Sequence, residues 1–145
     1  MRIGLEIQRV VDPHPPTVPR RFLARLYGRI RFRQGQGWSD DHTALIDTGA
    51  PYSVVPLALW PALRMQRVAT QAIRGIVPGV HAEMSAELAK ISAQLLDATH
   101  RSPRLTLWAM LAESDRVPLI LGWSGCLDRV RLVVDAPHRR AWLAF

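Results

Sequence analysis

Ala44-Leu45-Ile46-Asp47-Thr48-Gly49-Ala50-Pro51-Tyr52-Ser53-Val54-Val55-Pro56 is the stretch on which the reading of this chain turns. Thr43 to Ile46 forms a short strand that carries Asp47 into a tight turn. Tyr52 to Val55, aromatic and β-branched, leaves the turn as a second strand. Such a loop sets a carboxylate at the edge of a buried sheet and aims it at a cleft. The bare Asp-Thr-Gly triplet is weak evidence, and its apolar flanks carry the information.

Upstream, Arg20 to Arg33 reads as the clearest strand. Phe22, Ala24, Leu26, Ile30 and Phe32 fall on one side, and Arg21, Arg25, Arg29, Arg31 and Arg33 on the other. Successive strand side chains point to opposite faces, so one buried and one basic face are expected. Gly35-Gln36-Gly37 supplies the turn that follows. Asp12 to Pro19 holds Pro13, Pro15, Pro16 and Pro19, which predicts an extended connection. Ile3, Leu5 and Ile7 alternate with polar or small neighbours and predict a strand before it.

Downstream, Pro56 to Leu63 reads as a short helical turn cut by Pro61. Arg74-Gly75-Ile76-Val77-Pro78-Gly79 reads as a turn whose flanks could pair as a hairpin. His81 to Asp97 is two-sided. Its composition favours helix, with Met84, Leu88, Ile91 and Leu95 at helical spacing. The rival strand places Ala89, Ile91, Ala93 and Leu95 on one face. Arg104 to Leu111 and Val130 to Asp135 read as strands, and Val117 to Leu121 is an apolar run stopped by Gly122. Many short strands with Gly/Pro punctuation predict an all-β domain.

The Asp47 segment closely resembles the active-site loop of the retropepsin-like aspartic proteases, where Asp-Thr-Gly-Ala precedes a Ser-Val-Val or similar strand. Val117-Pro118-Leu119-Ile120-Leu121-Gly122 resembles the family's late hydrophobic-hydrophobic-Gly element, which packs under the active-site loop and opens a short helix, here starting at Gly125-Cys126-Leu127. The resemblance spans about Arg20 to Leu143. It implies an acid-protease barrel with a flap hairpin and one or two short helices, one lobe per chain. It also implies strand pairing after the flap, against the helical lean of residues 81–97.

What the resemblance implies chemically is an endopeptidase with Asp47 as the catalytic carboxylate and Thr48, Gly49 and Ala50 as its active-site loop. The chemistry needs two carboxylates sharing one proton, and this chain has one Asp-Thr-Gly. The partner is then a second copy, with Asp47 meeting Asp47 across a twofold axis. Thr48 would hydrogen-bond across that axis, and Gly49 would present its N–H to the carboxylate. Gly75, Ile76, Val77 and Gly79 would belong to a flap closing over an extended peptide or protein substrate. No cofactor and no metal are implied. Ala50 replaces the Ser or Thr of pepsin-like enzymes and cannot donate a hydrogen bond to the carboxylate, so a less acidic working pH is expected. Trp123-Ser124 stands where many family members carry Arg-Asp or Arg-Asn. Ile3–Ile7 and Ala141–Phe145 are candidates for an interface sheet, with Trp142 and Phe145 as apolar anchors. The alternative is a catalytically silent dimerising or peptide-binding module on the same fold.

Composition agrees with one compact domain over 145 residues: an N-terminal strand and Pro-rich connection over 1–19, then a lobe over 20–145. Hydrophobic residues at 48 % and charged residues at 21 % argue against disorder. Cys126 is the only cysteine, which excludes an intrachain disulfide and a multi-cysteine zinc site. With no signal-like N-terminus and no stretch long enough to span a bilayer, a cytoplasmic protein without a membrane partner is expected. The net charge of +7 is almost all arginine, Lys90 being the only lysine. No Lys/Arg run exceeds two residues, so a solvated basic face is favoured over a nucleic-acid partner. His14, His42, His81, His100 and His138 show no metal spacing. Ser53 lacks a Gly-x-Ser-x-Gly setting and reads as strand packing.

Overall fold

A computed structural model describes residues 1–11, 22–73 and 84–145. Its strands are β1 (Arg2–Val11), β2 (Phe22–Gln34), β3 (Gly37–Trp38), β4 (His42–Ile46), β5 (Ser53–Val55), β6 (Met65–Ile73), β7 (Met84–Leu96), β8 (Leu105–Leu111), β9 (Ile120–Leu121), β10 (Arg131–Asp135) and β11 (Arg140–Ala144). Two single 3-10 turns, Trp60–Ala62 and Leu127–Arg129, are the helices among the described residues. The all-β expectation holds.

The strands run in the order β10-β11-β1-β2-β4-β9-β5-β8-β7-β6. An additional pairing of β2 with β7 closes the path β2-β4-β9-β5-β8-β7 into a six-stranded barrel. Closure removes the edges of those strands and surrounds one core. Ile30, Phe32, Ala44, Val55, Ala89, Ile91, Ala93, Leu95, Leu107, Ala109 and Leu121 fill it, each fully buried. Burial of each large aliphatic side chain there stabilises the fold by roughly 1.5–3 kcal/mol.

Residues 84–96 are strand, so the helical lean of their composition fails and the strand implied by the resemblance holds. The cause is tertiary. β7 is paired to β8 along one edge and to β6 and β2 along the other, and Ala89, Ile91, Ala93 and Leu95 all enter the barrel. Helix would abandon those ladders and turn half of that face to water. On the opposite face, Val54, Leu88 and Met110 form a second apolar cluster. β6 and β7 pair from Met65↔Ile91 to Ile73↔Met84. Gly75, Ile76, Val77 and Gly79 lie outside the described residues, as does the Pro-rich connection.

The expected buried face of β2 is real only in its second half. Gly28, Ile30 and Phe32 are buried, whereas Ala24 is exposed. From Phe22 to Tyr27 the strand pairs with Glu6–Val11 of β1 in a ribbon outside the barrel. Leu23 and Val11 are exposed there too. The terminal strands pair with each other inside one chain, Ile3 opposite Leu143 and Gly4 opposite Trp142. β11 is held on its other edge by β10. Both of its edges are therefore occupied within the chain, and Phe145 packs against the core.

Asp97 ties the N-terminal strand to the barrel. Its Oδ2 accepts the Gly4 N–H at 2.8 Å, and its Oδ1 accepts the N–H groups of Thr99 (2.8 Å) and His100 (2.7 Å). The Gly4 bond, assisted by the Thr99 and His100 bonds and opposed by partial desolvation, holds the Asp97 carboxyl far below the usual carboxylate range. The folded state thus binds this proton less tightly than the unfolded chain. The stabilisation is complete above the unfolded value, about pH 4, and is lost as pH falls toward the folded value. Asp97→Ala should lower unfolding free energy by about 1–3 kcal/mol at neutral pH. In urea titrations the difference from wild type should shrink steadily below about pH 4. A difference independent of pH would contradict this role.

Candidate active site

Asp47 follows directly on β4, which lies parallel to β9 with Leu45 opposite Ile120 and Ile46 opposite Leu121. The Asp47 N–H donates to the Leu121 carbonyl at 3.0 Å, extending that ladder by one residue. The chain then turns, with the Ala50 N–H donating to the Asp47 carbonyl at 3.3 Å. The Gly49 N–H donates to Asp47 Oδ1 at 2.8 Å and fixes the carboxylate over its own turn, an Asx-type arrangement. A Cβ on Gly49 would sit 3.2 Å from that oxygen, so a side chain there would crowd the bond. Asp47 and Ala50 are half-buried, while Thr48 and Gly49 are exposed.

The late Leu-Gly element underpins this loop. The Trp123 N–H donates to the Ala50 carbonyl and the Ser124 N–H to the Pro51 carbonyl, both at 2.9 Å. The Gly122 N–H donates to Ser53 Oγ at 3.2 Å. Gly122 lies so close that a Cβ would come within 2.4 Å of the Tyr52 carbonyl oxygen and 2.6 Å of that of Ala50. Gly125 adopts φ +78°, and a Cβ there would meet the Thr106 carbonyl oxygen at 2.0 Å. The helix expected from Gly125-Cys126-Leu127 reduces to the 3-10 turn Leu127–Arg129.

Sequence reasoning missed Trp123. Its indole N–H donates to the Thr48 carbonyl at 2.6 Å, while the residue remains 45 % exposed. A side chain thus braces the tip of the turn from the position where many resembling proteins carry arginine. The departure from Arg was visible in sequence; the bond was not, because it joins residues 75 apart.

Two nucleophiles near the loop, Ser53 and Cys126, are excluded by their settings. Ser53 is fully buried and engaged with Gly122. Burial, reinforced by the negative charge of Asp128, pushes the Cys126 thiol up to about 12, which leaves no useful thiolate at neutral pH. Among the described residues, no group of three His, Cys, Asp or Glu side chains could hold a metal ion. No helix among them is long and apolar enough to cross a membrane.

A model of the retroviral aspartyl protease family matches residues 23–125, from early β2 to the Gly125 turn. The chain belongs to the retroviral aspartyl protease family. The matched span contains both the Asp47 loop and the Leu-Gly element beneath it. Comparison with curated proteins and with solved structures found no match. Membership in this family supports an aspartic-protease-type function in general terms.

Gly122→Ala should shift the loop bodily, because the obstructing atoms are backbone. It should destabilise the protein by roughly 2–4 kcal/mol in chemical unfolding. Trp123→Phe keeps the ring and removes only the N–H, so its cost should be about 0.5–1.5 kcal/mol. Equal effects of the two substitutions would contradict the close approach at Gly122.

Proposed function

We propose that this chain is an aspartic endopeptidase that works as a homodimer, its two Asp47 carboxylates activating one water molecule. The observation that carries this reading is the Asp47 carboxylate itself, half-buried and oriented by the Gly49 N–H at 2.8 Å on a loop locked to β9. One such loop occurs per chain, and the reaction needs two carboxylates. Twofold symmetry supplies the second. The exposed Thr48 and Trp123 beside Asp47 offer a rim for the second copy.

In the dimer the two carboxyls share one proton, since like charges so close resist double ionisation. The ionised Asp47 takes a proton from water as the water oxygen adds to the scissile carbonyl carbon. The protonated Asp47 gives its proton to the carbonyl oxygen, forming a neutral gem-diol. Collapse breaks the C–N bond: the carboxyl that took its proton from water gives one to the departing amine nitrogen, while a gem-diol hydroxyl passes its proton to the other carboxylate as the product carboxyl forms. The acid–base pair is thereby restored without a covalent enzyme intermediate.

The substrate is an extended peptide or protein segment. β6 and β7 run antiparallel toward residues 74–83, where Gly75, Ile76, Val77 and Gly79 would clasp it. A reducing cytoplasm suits a chain whose sole cysteine is buried and free. The second reading is a silent dimerising or peptide-binding module. Trp123-Ser124, in place of the Arg-Asp or Arg-Asn of many resembling proteins, bears on it through the dimer contact, without which the two Asp47 side chains do not meet.

Asp47→Asn should reduce cleavage of a peptide library by at least about a thousandfold while sedimentation still reports a dimer. No cleavage by wild-type dimer at any pH from acid to neutral would transfer the conclusion to the silent module. Ala50→Ser adds a hydroxyl able to donate to the carboxylate and should move the acidic limb of the pH–rate profile downward. An unmoved limb, or a wild-type optimum in strong acid, would contradict the role given to Ala50.

A further inference from the structure

On the outer face of the barrel, strand registers gather cations that are scattered in sequence. Arg31 lies opposite Gln94, and Lys90 lies opposite both Gln66 and Trp108. Ser92 lies opposite Thr106 between them. Alternation puts all of these side chains on the face away from Ile91 and Ala93. One step beyond the pair Phe32↔Ala93, Arg33 arrives beside Ser92 on that face. Arg64 is fastened there by its N–H donating to the Arg33 carbonyl at 2.9 Å.

The result is a cavity of about 430 Å³ lined by Arg33, Arg64, Lys90 and Arg104, with Ser92 and Thr106 also in its lining. Among the described residues no carboxylate lines it. Among the described residues none of these four cations has an acidic partner, in contrast to Arg29 with Asp41 and Arg67 with Glu87. Neither hydroxyl bonds to another protein group among those residues. Two cations are positioned by aromatic rings: Lys90 Nζ lies 4.7 Å from the Trp108 ring centre, and the Arg33 guanidinium 5.7 Å from that of Trp38. Four like charges brought together without counter-charge repel one another, and a bound polyanion relieves that repulsion.

We propose that this cavity is a binding site for a phosphate-bearing anion, the guanidinium groups of Arg33, Arg64 and Arg104 and the Lys90 ammonium contacting its oxygens and the two hydroxyls donating to them. Arginine forks and lysine point charges suit phosphate oxygens, and donors without acceptors among the cations exclude a cationic ligand. The phosphates come either from a free polyphosphate of nucleotide size or from a single-stranded nucleic acid. The site is independent of Asp47 chemistry.

Calorimetry on the Asp47→Asn chain, which cannot digest itself by the proposed mechanism, would measure binding of inorganic tripolyphosphate and of a short oligouridylate at low salt. Saturable binding of at least one probe, one site per chain, is expected. Lys90→Gln on β7 and Arg104→Gln just before β8 should each weaken it by about 3–10-fold, and Arg25→Gln on the exposed ribbon should leave it unchanged. Tripolyphosphate binding as tight as oligouridylate identifies a small ligand. Tighter oligouridylate binding, with a salt slope that falls by about one per cation removed, identifies a strand. No saturable binding of either probe, or equal weakening by all three substitutions in chains with wild-type melting curves, overturns the proposal.

Discussion

The structure depends on the lock between the Asp47 turn and the Leu121–Ser124 segment. Parallel pairing of β4 with β9 brings Leu121 alongside Asp47, and the absence of a side chain on Gly122 lets the two backbones meet. From there Trp123 and Ser124 satisfy the carbonyls of Ala50 and Pro51, and the Trp123 indole satisfies that of Thr48. A turn at the rim of a barrel would otherwise leave these carbonyls to water and the carboxylate free to wander. Partnering them converts a flexible loop into a rigid mount, which is what positioning a carboxylate to fractions of an ångström requires.

The same segment carries β9, one link of the path that β2 and β7 close into a barrel. β9 has only Ile120 and Leu121, yet it bridges β4 and β5, and β5 in turn lies parallel to β8. The short central strands are held by the long ones around them, β2 and β7, which pair directly with each other. Outside the closed path, the β1–β2 ribbon and the β10–β11–β1 sheet are appended, and Asp97 pins the latter through Gly4. The Asp47 turn, the core and the termini are therefore mechanically continuous.

Much of this was legible in sequence where the signal was local. The Asp47 turn between two apolar strands, the alternation of β2 from Gly28 onward and the apolar run ending at Gly122 all follow from neighbouring residues. What was not legible depends on distant partners. Residues 84–96 have helical composition and become a strand because β2, β6 and β8 supply hydrogen bonds and a core for it. Trp123 reaches Thr48 across 75 residues, and the four cations of the outer cavity come from two strands and two loops. Asp97 was overlooked although Asp-Ala-Thr-His carries the signature of an Asx turn; its bond to Gly4, from the far end of the chain, had no such signature.

The central claim is that two Asp47 carboxylates from two chains form one reaction centre, and subunit mixing tests it most directly. Wild-type and Asp47→Asn chains would be unfolded together and refolded at fixed total concentration across a range of proportions. Peptide cleavage would then be measured against the wild-type fraction. A shared dyad makes every mixed dimer inactive, so activity should follow the square of that fraction, falling to about one quarter at equal proportions. Activity proportional to the wild-type fraction itself would mean that each chain works alone, and the account of a site completed by symmetry would be wrong.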